Sequence, residues 1–160
     1  MNTLLMMSML LGGVDTLDKV TINGLTLKAP TAWQKTETDT GKQWAAPEDA
    51  ATLAIDVFPV DPSRAAKLCV KQLVEAVAKD GFDKFEDLTV GTQPASKRVM
   101  TDYVGEGEGA KKDENKATST MLLGCNGKTK WVLTYTSKNK DATRFGPILK
   151  RIIESITYGK

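Results

Sequence analysis

The amino-acid sequence predicts an α+β fold in which an antiparallel sheet is flanked by helices on both faces, an α/β/α sandwich. Three observations lead to this prediction. Asn-Gly dipeptides at 23–24 and 126–127 separate apolar segments, which is the strongest short-range signal of a β-hairpin. Apolar residues recur with helical spacing near 66–77 and 145–156. The late hairpin carries large apolar side chains on both faces, so it requires a packed layer on each side.

Composition bounds the class of protein. The chain has 160 residues, of which 41% are hydrophobic and 26% charged, as in ordinary globular domains. We expect an apolar N-terminal segment over residues 1–17 and a single globular domain over 18–160. The net charge is only +2 and no basic stripe is visible, which argues against a nucleic-acid partner. No apolar run is long enough for an integral membrane span.

Strands dominate the first third of the domain. The first hairpin joins Val20–Ile22 to Leu25–Leu27, and Pro30 stops its second strand. Two further strands, 34–37 and 42–46, precede the long run 52–58. In that run Leu53, Ile55 and Val57 share one face.

Two amphipathic helices are predicted. The first begins at Asp61-Pro62, an N-cap followed by a proline in the first turn, and ends near Lys79 before Gly81. The second has a full apolar stripe from Phe145 to Ile156, with Pro147 in its opening turn. The stripe of the second helix comprises Phe145, Ile148, Leu149, Ile152, Ile153 and Ile156.

The segment between the helices predicts four strands. Residues 85–104 form two of them, around a turn at 92–95. Glycine and mixed charge dominate 105–116, which is typical of a solvated, mobile hairpin tip. The late hairpin follows, and a two-residue loop at Asn126-Gly127 places Leu122 opposite Trp131 and Met121 opposite Val132.

The apolar run from Leu4 to Leu11 has two interpretations. Its length suits the apolar core of a secretory signal, although no Lys or Arg precedes it. The alternative is a terminal helix packed on the domain or on a partner. We favour export, and therefore a periplasmic or secreted location.

Cys69 and Cys125 are the only cysteines of the sequence. An even count suits a disulfide in an exported protein, and this bond would tie the first helix to the sheet. It would close a loop of about 56 residues, which the chain-entropy model values at roughly 4 kcal/mol. The alternative is a pair of buried free thiols.

Residue types that carry chemistry are scarce. The sequence has no histidine, no Gly-x-Ser-x-Gly and no phosphate-binding glycine loop, so we expect no enzyme activity, cofactor or metal. Asp56 lies in an apolar strand, but such a residue is more often at a solvent-facing position. The carboxylate pairs Glu86-Asp87 and Asp113-Glu114 fall on predicted loops, where solvated charge is the default. A carboxylate-only hydrolase would need two inward carboxylates in one cleft.

The order of elements resembles the PsbP-like superfamily. The residues that carry the resemblance are Leu27–Trp33, Leu53–Phe58 and Ile152–Ile156. The resemblance implies an α/β/α sandwich and a non-enzymatic role, since its members are mostly photosystem accessory subunits, a Ran-binding import factor and bacterial envelope proteins. It carries over no functional residue.

Two regions are candidate partner-binding sites. Trp33 is expected in the core, whereas Trp44 is expected at the surface, where tryptophan is enriched in interaction sites. The tip at 105–116 is either a recognition loop or a plain turn, and its charged residues are Lys111, Lys112, Asp113 and Glu114. The leading hypothesis is an accessory protein of the cell envelope that binds another protein. The alternative is a carrier of a small apolar ligand held in a cavity between sheet and helix.

Overall fold

The computed structural model describes residues 15–60, 64–78, 84–105 and 107–159, which form ten strands and two α-helices. All strand pairings among them are antiparallel. The predicted α+β class is confirmed. The strands are β1 (Leu17–Ile22), β2 (Leu25–Pro30), β3 (Gln34–Glu37), β4 (Gly41–Ala45), β5 (Ala51–Pro59), β6 (Glu86–Val90), β7 (Gln93–Tyr103), β8 (Lys116–Cys125), β9 (Thr129–Lys138) and β10 (Thr157–Tyr158), and the helices are α1 (Ala66–Ala78) and α2 (Ala142–Glu154).

The strands form two sheets where the sequence suggested one. Seven strands pair in the order β3-β4-β5-β9-β8-β7-β6, and the remaining three in the order β1-β2-β10. The first hairpin therefore pairs through β2 with the short strand β10, a strand that the sequence pattern does not predict. Residues 1–14 of the predicted N-terminal segment, the helix start at Asp61-Pro62 and the glycine cap at Gly81 lie outside the described residues. Leu17, predicted to belong to that segment, is the first residue of β1.

The two Asn-Gly hairpins differ in their turns. In the first, Ile22 pairs with Leu25, and Asn23 and Gly24 both have positive φ (46° and 86°), as a two-residue turn requires. In the second, the Asn126 side chain accepts hydrogen bonds from the backbone amides of Lys128 (3.0 Å) and Thr129 (2.8 Å). These bonds form a four-residue turn, an alternative to the Asn-Gly turn that asparagine commonly offers.

The longer turn moves the register of the late hairpin by two residues. Leu122 pairs with Leu133 and not with Trp131, and Val132 pairs with Leu123 and not with Met121. Because side chains alternate with a period of two, this shift leaves the predicted division between the two faces unchanged. β8 and β9 lie in the middle of the seven-stranded sheet, as predicted.

The main hydrophobic cluster lies beneath α2. The Trp33 ring packs edge-on against Phe145, with ring centroids 5.7 Å apart, and lies 6.3 Å from the Tyr135 ring. The Tyr135 hydroxyl donates a buried hydrogen bond of 2.7 Å to the backbone carbonyl of Phe145. The core position of Trp33 and the apolar stripe of α2 are confirmed. The fully buried side chains of this cluster include Leu25, Leu27, Leu53, Ile55, Leu122, Trp131, Leu133, Phe145 and Ile152.

Two details of the second helix differ from prediction. The helix begins at Ala142, so Pro147 is its sixth residue and lies beyond the opening turn. Proline has no backbone N–H, so this position cannot donate the helical hydrogen bond to Thr143. The helix ends at Glu154, and Ile156 is buried in the segment that leads to β10.

A second, smaller cluster lies beneath α1. Its buried members are Cys69, Val70 and Cys125, and α1 contacts β7 and β8 there. Cys69 and Cys125 form a disulfide with a Cα–Cα distance of 6.2 Å. The bond joins α1 to the end of β8, as the sequence suggested for a disulfide-bonded form.

Candidate functional site

The tip between β7 and β8 contains the charged residues that the sequence singled out. Lys111, Lys112, Asp113 and Glu114 are all exposed. The backbone turns there in two short 3₁₀ segments, and the Asn115 amide donates a hydrogen bond of 2.8 Å to the Lys112 carbonyl. The tip therefore presents two positive and two negative side chains from a folded turn.

Trp44 does not belong to the surface, so that prediction is wrong. Its side chain is only 4% exposed and joins the main cluster. The cause is the pairing of Trp44 with Leu53, which places both side chains on the same face of the sheet. The polar residues near this strand in the sequence do not reveal the burial.

Beside Trp44 lies a shallow cleft of about 420 Å³. Gln34, Thr36 and Gln43 contribute polar groups to its wall. The structure brings none of the tip residues to this cleft, because β3 and β4 are at the opposite end of the strand order from β7. Trp44 and the tip therefore do not form one site.

A larger groove runs between α1 and the strands β6 and β7. Its volume is about 1130 Å³, and it is open to solvent. The apolar residues Leu68, Val74, Leu88 and Pro94 line it, and Lys67 and Lys71 are among its charged residues. Sequence reasoning missed this groove. The available signal was Leu68, an apolar residue on the polar side of α1 that is 49% exposed.

Two carboxylates also line the groove, but both already have partners. Asp87 lies on strand β6 and not on the predicted loop, and its carboxylate accepts a hydrogen bond of 2.9 Å from the Ser96 hydroxyl. Glu75 forms an exposed ion pair with Lys71 at 3.9 Å. The carboxylate of Asp56 lies on β5, away from the groove, and accepts a hydrogen bond of 2.6 Å from Thr40. The described carboxylates do not form the inward pair that a carboxylate-only hydrolase would need.

The perturbed titratable groups lie away from the groove and the tip. Hydrogen bonds from Lys42 and then Lys35 hold the pKa of the exposed Glu37 carboxyl below its ordinary value. Burial raises the pKa of the Tyr135 hydroxyl, and the Asp15 charge adds to this effect. Burial also raises the pKa of Tyr158, which accepts a hydrogen bond of 3.3 Å from the Trp131 indole. These shifts accompany structural contacts.

Two further features concern metals and membranes. Within the part of the chain that the structure describes, no cluster of three or more metal-ligating side chains occurs. Each of the two described α-helices has 13 residues, whereas a membrane span needs about 20. No described helix is thus long and apolar enough to cross a bilayer.

The chain matches solved structures, although no family model and no curated protein matches it. A Bacteroides thetaiotaomicron protein superposes with a TM-score of 0.61 at 14% identity, over 86% of this chain and 46% of that one. Cyanobacterial PsbP (CyanoP) from Synechocystis superposes with a TM-score of 0.58 at 10% identity, over 92% of this chain and 95% of that one.

The chain has the PsbP-like fold. Two other structures support this: LpqN of Mycobacterium tuberculosis, with a TM-score of 0.52 at 12% identity over 91% of each chain, and Mog1p of Saccharomyces cerevisiae. Mog1p has a TM-score of 0.50 at 12% identity, over 90% of this chain and 96% of its own. The resemblance noted in the sequence is confirmed for the fold. The chain spans about half the length of the Bacteroides protein.

Proposed function

We propose that this PsbP-like protein is a non-catalytic accessory protein of the cell envelope that binds another protein through the tip between β7 and β8. The observation that carries the proposal is the exposure of Lys111, Lys112, Asp113 and Glu114 on a folded turn. The described part of the chain contains no ion pair to any of these four side chains. Their charges are therefore available to a partner surface of complementary pattern.

The disulfide supports an exported location. Disulfides form and persist in the periplasm and outside the cell, and they are rare in the reducing cytosol. Cys69–Cys125 ties α1 to the sheet and is thus part of the packing of this protein. LpqN, which shares the fold, is involved in cell envelope biogenesis, and Mog1p is a Ran-binding protein.

We also infer that α1 and α2 cover opposite faces of the seven-stranded sheet. Gly124 pairs with Trp131 and Cys125 with Lys130, so Cys125 and Trp131 belong to adjacent cross-strand pairs. Side chains of adjacent pairs project to opposite faces. Cys69 of α1 forms a disulfide with Cys125, whereas α2 packs on the hydrophobic cluster that contains Trp131. With a helix on each face of the sheet, the tip between β7 and β8 would extend from the edge of a central layer.

A photo-crosslinking experiment tests the proposed contact. A photoreactive residue is placed at Lys112 in the tip and, as a matched control, at Lys150, an exposed lysine of α2. We expect the position in the tip to trap one envelope protein reproducibly and the control position not to trap it. Neutralising the four tip charges should remove the adduct. An identical set of adducts from both positions, or none from the tip, would contradict the proposal.

The groove beside α1 favours a second candidate function, the binding of an apolar ligand. Its volume of about 1130 Å³ is slightly larger than that of most small-molecule sites, and apolar side chains line it. It is an open groove and not the enclosed cavity expected from the sequence. Lys67 would complement an anionic head group, whereas Lys71 already pairs with Glu75.

Titration with palmitate tests this second candidate. We expect Leu68→Glu to weaken palmitate binding at least fivefold, because it places a carboxylate inside the groove. The control is Val99→Glu, which changes a residue of similar exposure outside the groove. Equal binding by both variants, or no binding by the unmodified protein, would exclude a fatty-acid carrier.

A further inference from the structure

The outer edge of β7 is only partly covered. β6 pairs with β7 from Gln93 to Lys97, whereas β8 pairs with the other side of β7 as far as Tyr103. Among the residues that the structure describes, no strand pairs with the outer side of β7 beyond Lys97. Within this described part of the chain, residues 99–103 have no strand partner on that side, and we call this segment of five residues the outer edge.

The backbone groups of the outer edge can be assigned from the register. The turn at Gly91-Thr92 closes at the Val90–Gln93 pair, so Gln93 directs its N–H and C=O toward β6. By alternation along the strand, Val99, Thr101 and Tyr103 direct theirs to the same, outer side. In agreement, the Tyr103 amide donates to the carboxylate of its neighbour Asp102 (2.7 Å) and not to β8.

The side chains of the outer edge are unusually apolar for their exposure. Val99 is 53% exposed, Met100 40% and Tyr103 38%. Natural proteins commonly protect such edges with lysine, proline or a bulge. The outer edge carries no lysine or proline, and its pairing with β8 is continuous from Ala95 to Tyr103 without a bulge. The edge can therefore receive another strand, for which the Tyr103 amide must exchange its bond to the Asp102 carboxylate for one to that strand.

We propose that the outer edge pairs with the outer edge of a second copy of this chain, antiparallel and with Thr101 on the two-fold axis. In this register Val99 lies opposite Tyr103 of the second copy, and the symmetry repeats that pair. Valine opposite an aromatic residue is a favourable cross-strand pair. Met100 lies opposite Asp102 of the second copy on the other face. The surface is thus complementary to itself, as a two-fold interface requires.

Length and hydrogen bonding select this register. Residues with outward backbone groups must face one another, so alternative registers differ by two-residue steps. One step in one direction pairs Val99 with Thr101, and two steps pair Val99 with itself. Only the proposed register pairs all five residues of the outer edge, 99–103.

The contact is small, so we expect a weak dimer. Stable interfaces bury more than about 1,000 Å² in total, which two five-residue strands alone approach only in part. The dissociation constant should lie between about 10 µM and 1 mM. The tips remain outside the paired segment, so the proposal does not depend on the proposed function of the tip.

Sedimentation velocity of the oxidised protein from about 5 µM to 1 mM tests the proposal. The unmodified chain should shift from monomer toward dimer over this range. Val99→Lys and Tyr103→Glu should each weaken association about fivefold or more, because each disrupts two symmetric pairs. In the double variant Val99→Lys/Tyr103→Glu, the introduced lysine of each copy lies opposite the introduced glutamate of the other. Association should therefore recover to within about threefold of that of the unmodified chain. Met100→Lys is the control on the same strand. Its lysine would lie opposite Asp102 of the second copy, so this variant should not weaken association.

Circular dichroism and thermal unfolding verify that each variant is folded, as expected for exposed positions. A monomer at all concentrations would overturn the proposal. So would a dimer that none of the single variants weakens, or one that the double variant fails to restore. If the chain stays monomeric but the photoreactive tip still traps an envelope protein, the dimer fails and the proposed function stands.

Discussion

The two helices of this protein are held in place by different means. α2 buries Phe145, Ile148 and Ile152 in the main hydrophobic cluster, and a buried hydrogen bond from Tyr135 reinforces it. α1 buries only Cys69 and Val70, in a cluster whose remaining buried member is Cys125. Helices of equal length thus differ in the apolar area that fixes them to the sheet.

This difference explains why the groove lies beside α1. A helix attached by a thin apolar seam and one covalent bond leaves open space along its flank, here toward β6 and β7. A helix with a wide apolar stripe fills that space with its own side chains. The comparison indicates that the disulfide replaces packing that the sequence does not provide under α1.

The largest effect should come from removing the disulfide. In the chain-entropy model, a crosslink between residues 56 positions apart is worth about 4 kcal/mol of unfolding free energy. We expect the Cys69→Ser/Cys125→Ser variant to lose about that amount in urea unfolding. Reduction of the unmodified protein should give the same loss. A loss below about 1 kcal/mol would mean that packing alone holds α1.

Matched core truncations in the two helices sharpen the comparison. Ile152→Ala removes a fully buried side chain and should cost about 3 kcal/mol, within the usual range for such changes. Leu73→Ala in α1 removes a partly buried side chain and should cost about 1 kcal/mol. Urea unfolding of both variants measures the difference. Equal costs would break the comparison.

Alkaline pH should lower the free energy of unfolding through two tyrosines of the main hydrophobic cluster, Tyr135 and Tyr158. Burial raises the pKa of Tyr135 and Tyr158 in the folded state, so the unfolded chain loses these protons first as pH rises through about 10. Stability is thus fully present below pH 10 and falls above it, by up to about 1.4 kcal/mol per pH unit for each tyrosine. Tyr135→Phe should make this decline shallower, as urea midpoints between pH 8 and 11.5 would reveal. An unchanged slope in Tyr135→Phe would contradict this prediction.

The smallest effects should come from exposed ion pairs on the helix surfaces, of which each helix has one. Lys71 and Glu75 in α1 lie 3.9 Å apart, and Lys150 and Glu154 in α2 lie 3.8 Å apart, both at i,i+4 spacing. Exposed pairs of this kind contribute about 0.3–0.5 kcal/mol. Glu75→Gln and Glu154→Gln should each change the urea midpoint by a similarly small amount. A large loss in α1 alone would mean that charge, and not the disulfide, holds that helix.

Most of the fold follows from local patterns in the sequence. The alternation in β5, the Asn23-Gly24 turn and the stripe of α2 each carry their own signal, because burial of one face imposes a period on the residues. The register of the late hairpin did not follow, because the Asn126 side chain forms a longer turn than the dipeptide suggests. The two-residue strand β10 has too little sequence for any period to be visible.

The candidate sites were harder to predict, because they depend on pairing between distant segments. Trp44 is buried by its neighbour Leu53, which local polarity does not reveal. The outer edge arises because β6 ends opposite Lys97 while β7 continues. That mismatch in strand length is a property of the assembled sheet. The exposed charges of the tip were visible from composition alone.

Amide hydrogen exchange in the oxidised and reduced protein tests most directly how the two helices are held. On reduction of Cys69–Cys125, we expect the amides of α1 to lose most of their protection while those of α2 retain theirs. This result would mean that the disulfide fixes α1 and that apolar packing fixes α2. Unchanged protection of α1, or equal loss from both helices, would contradict the account.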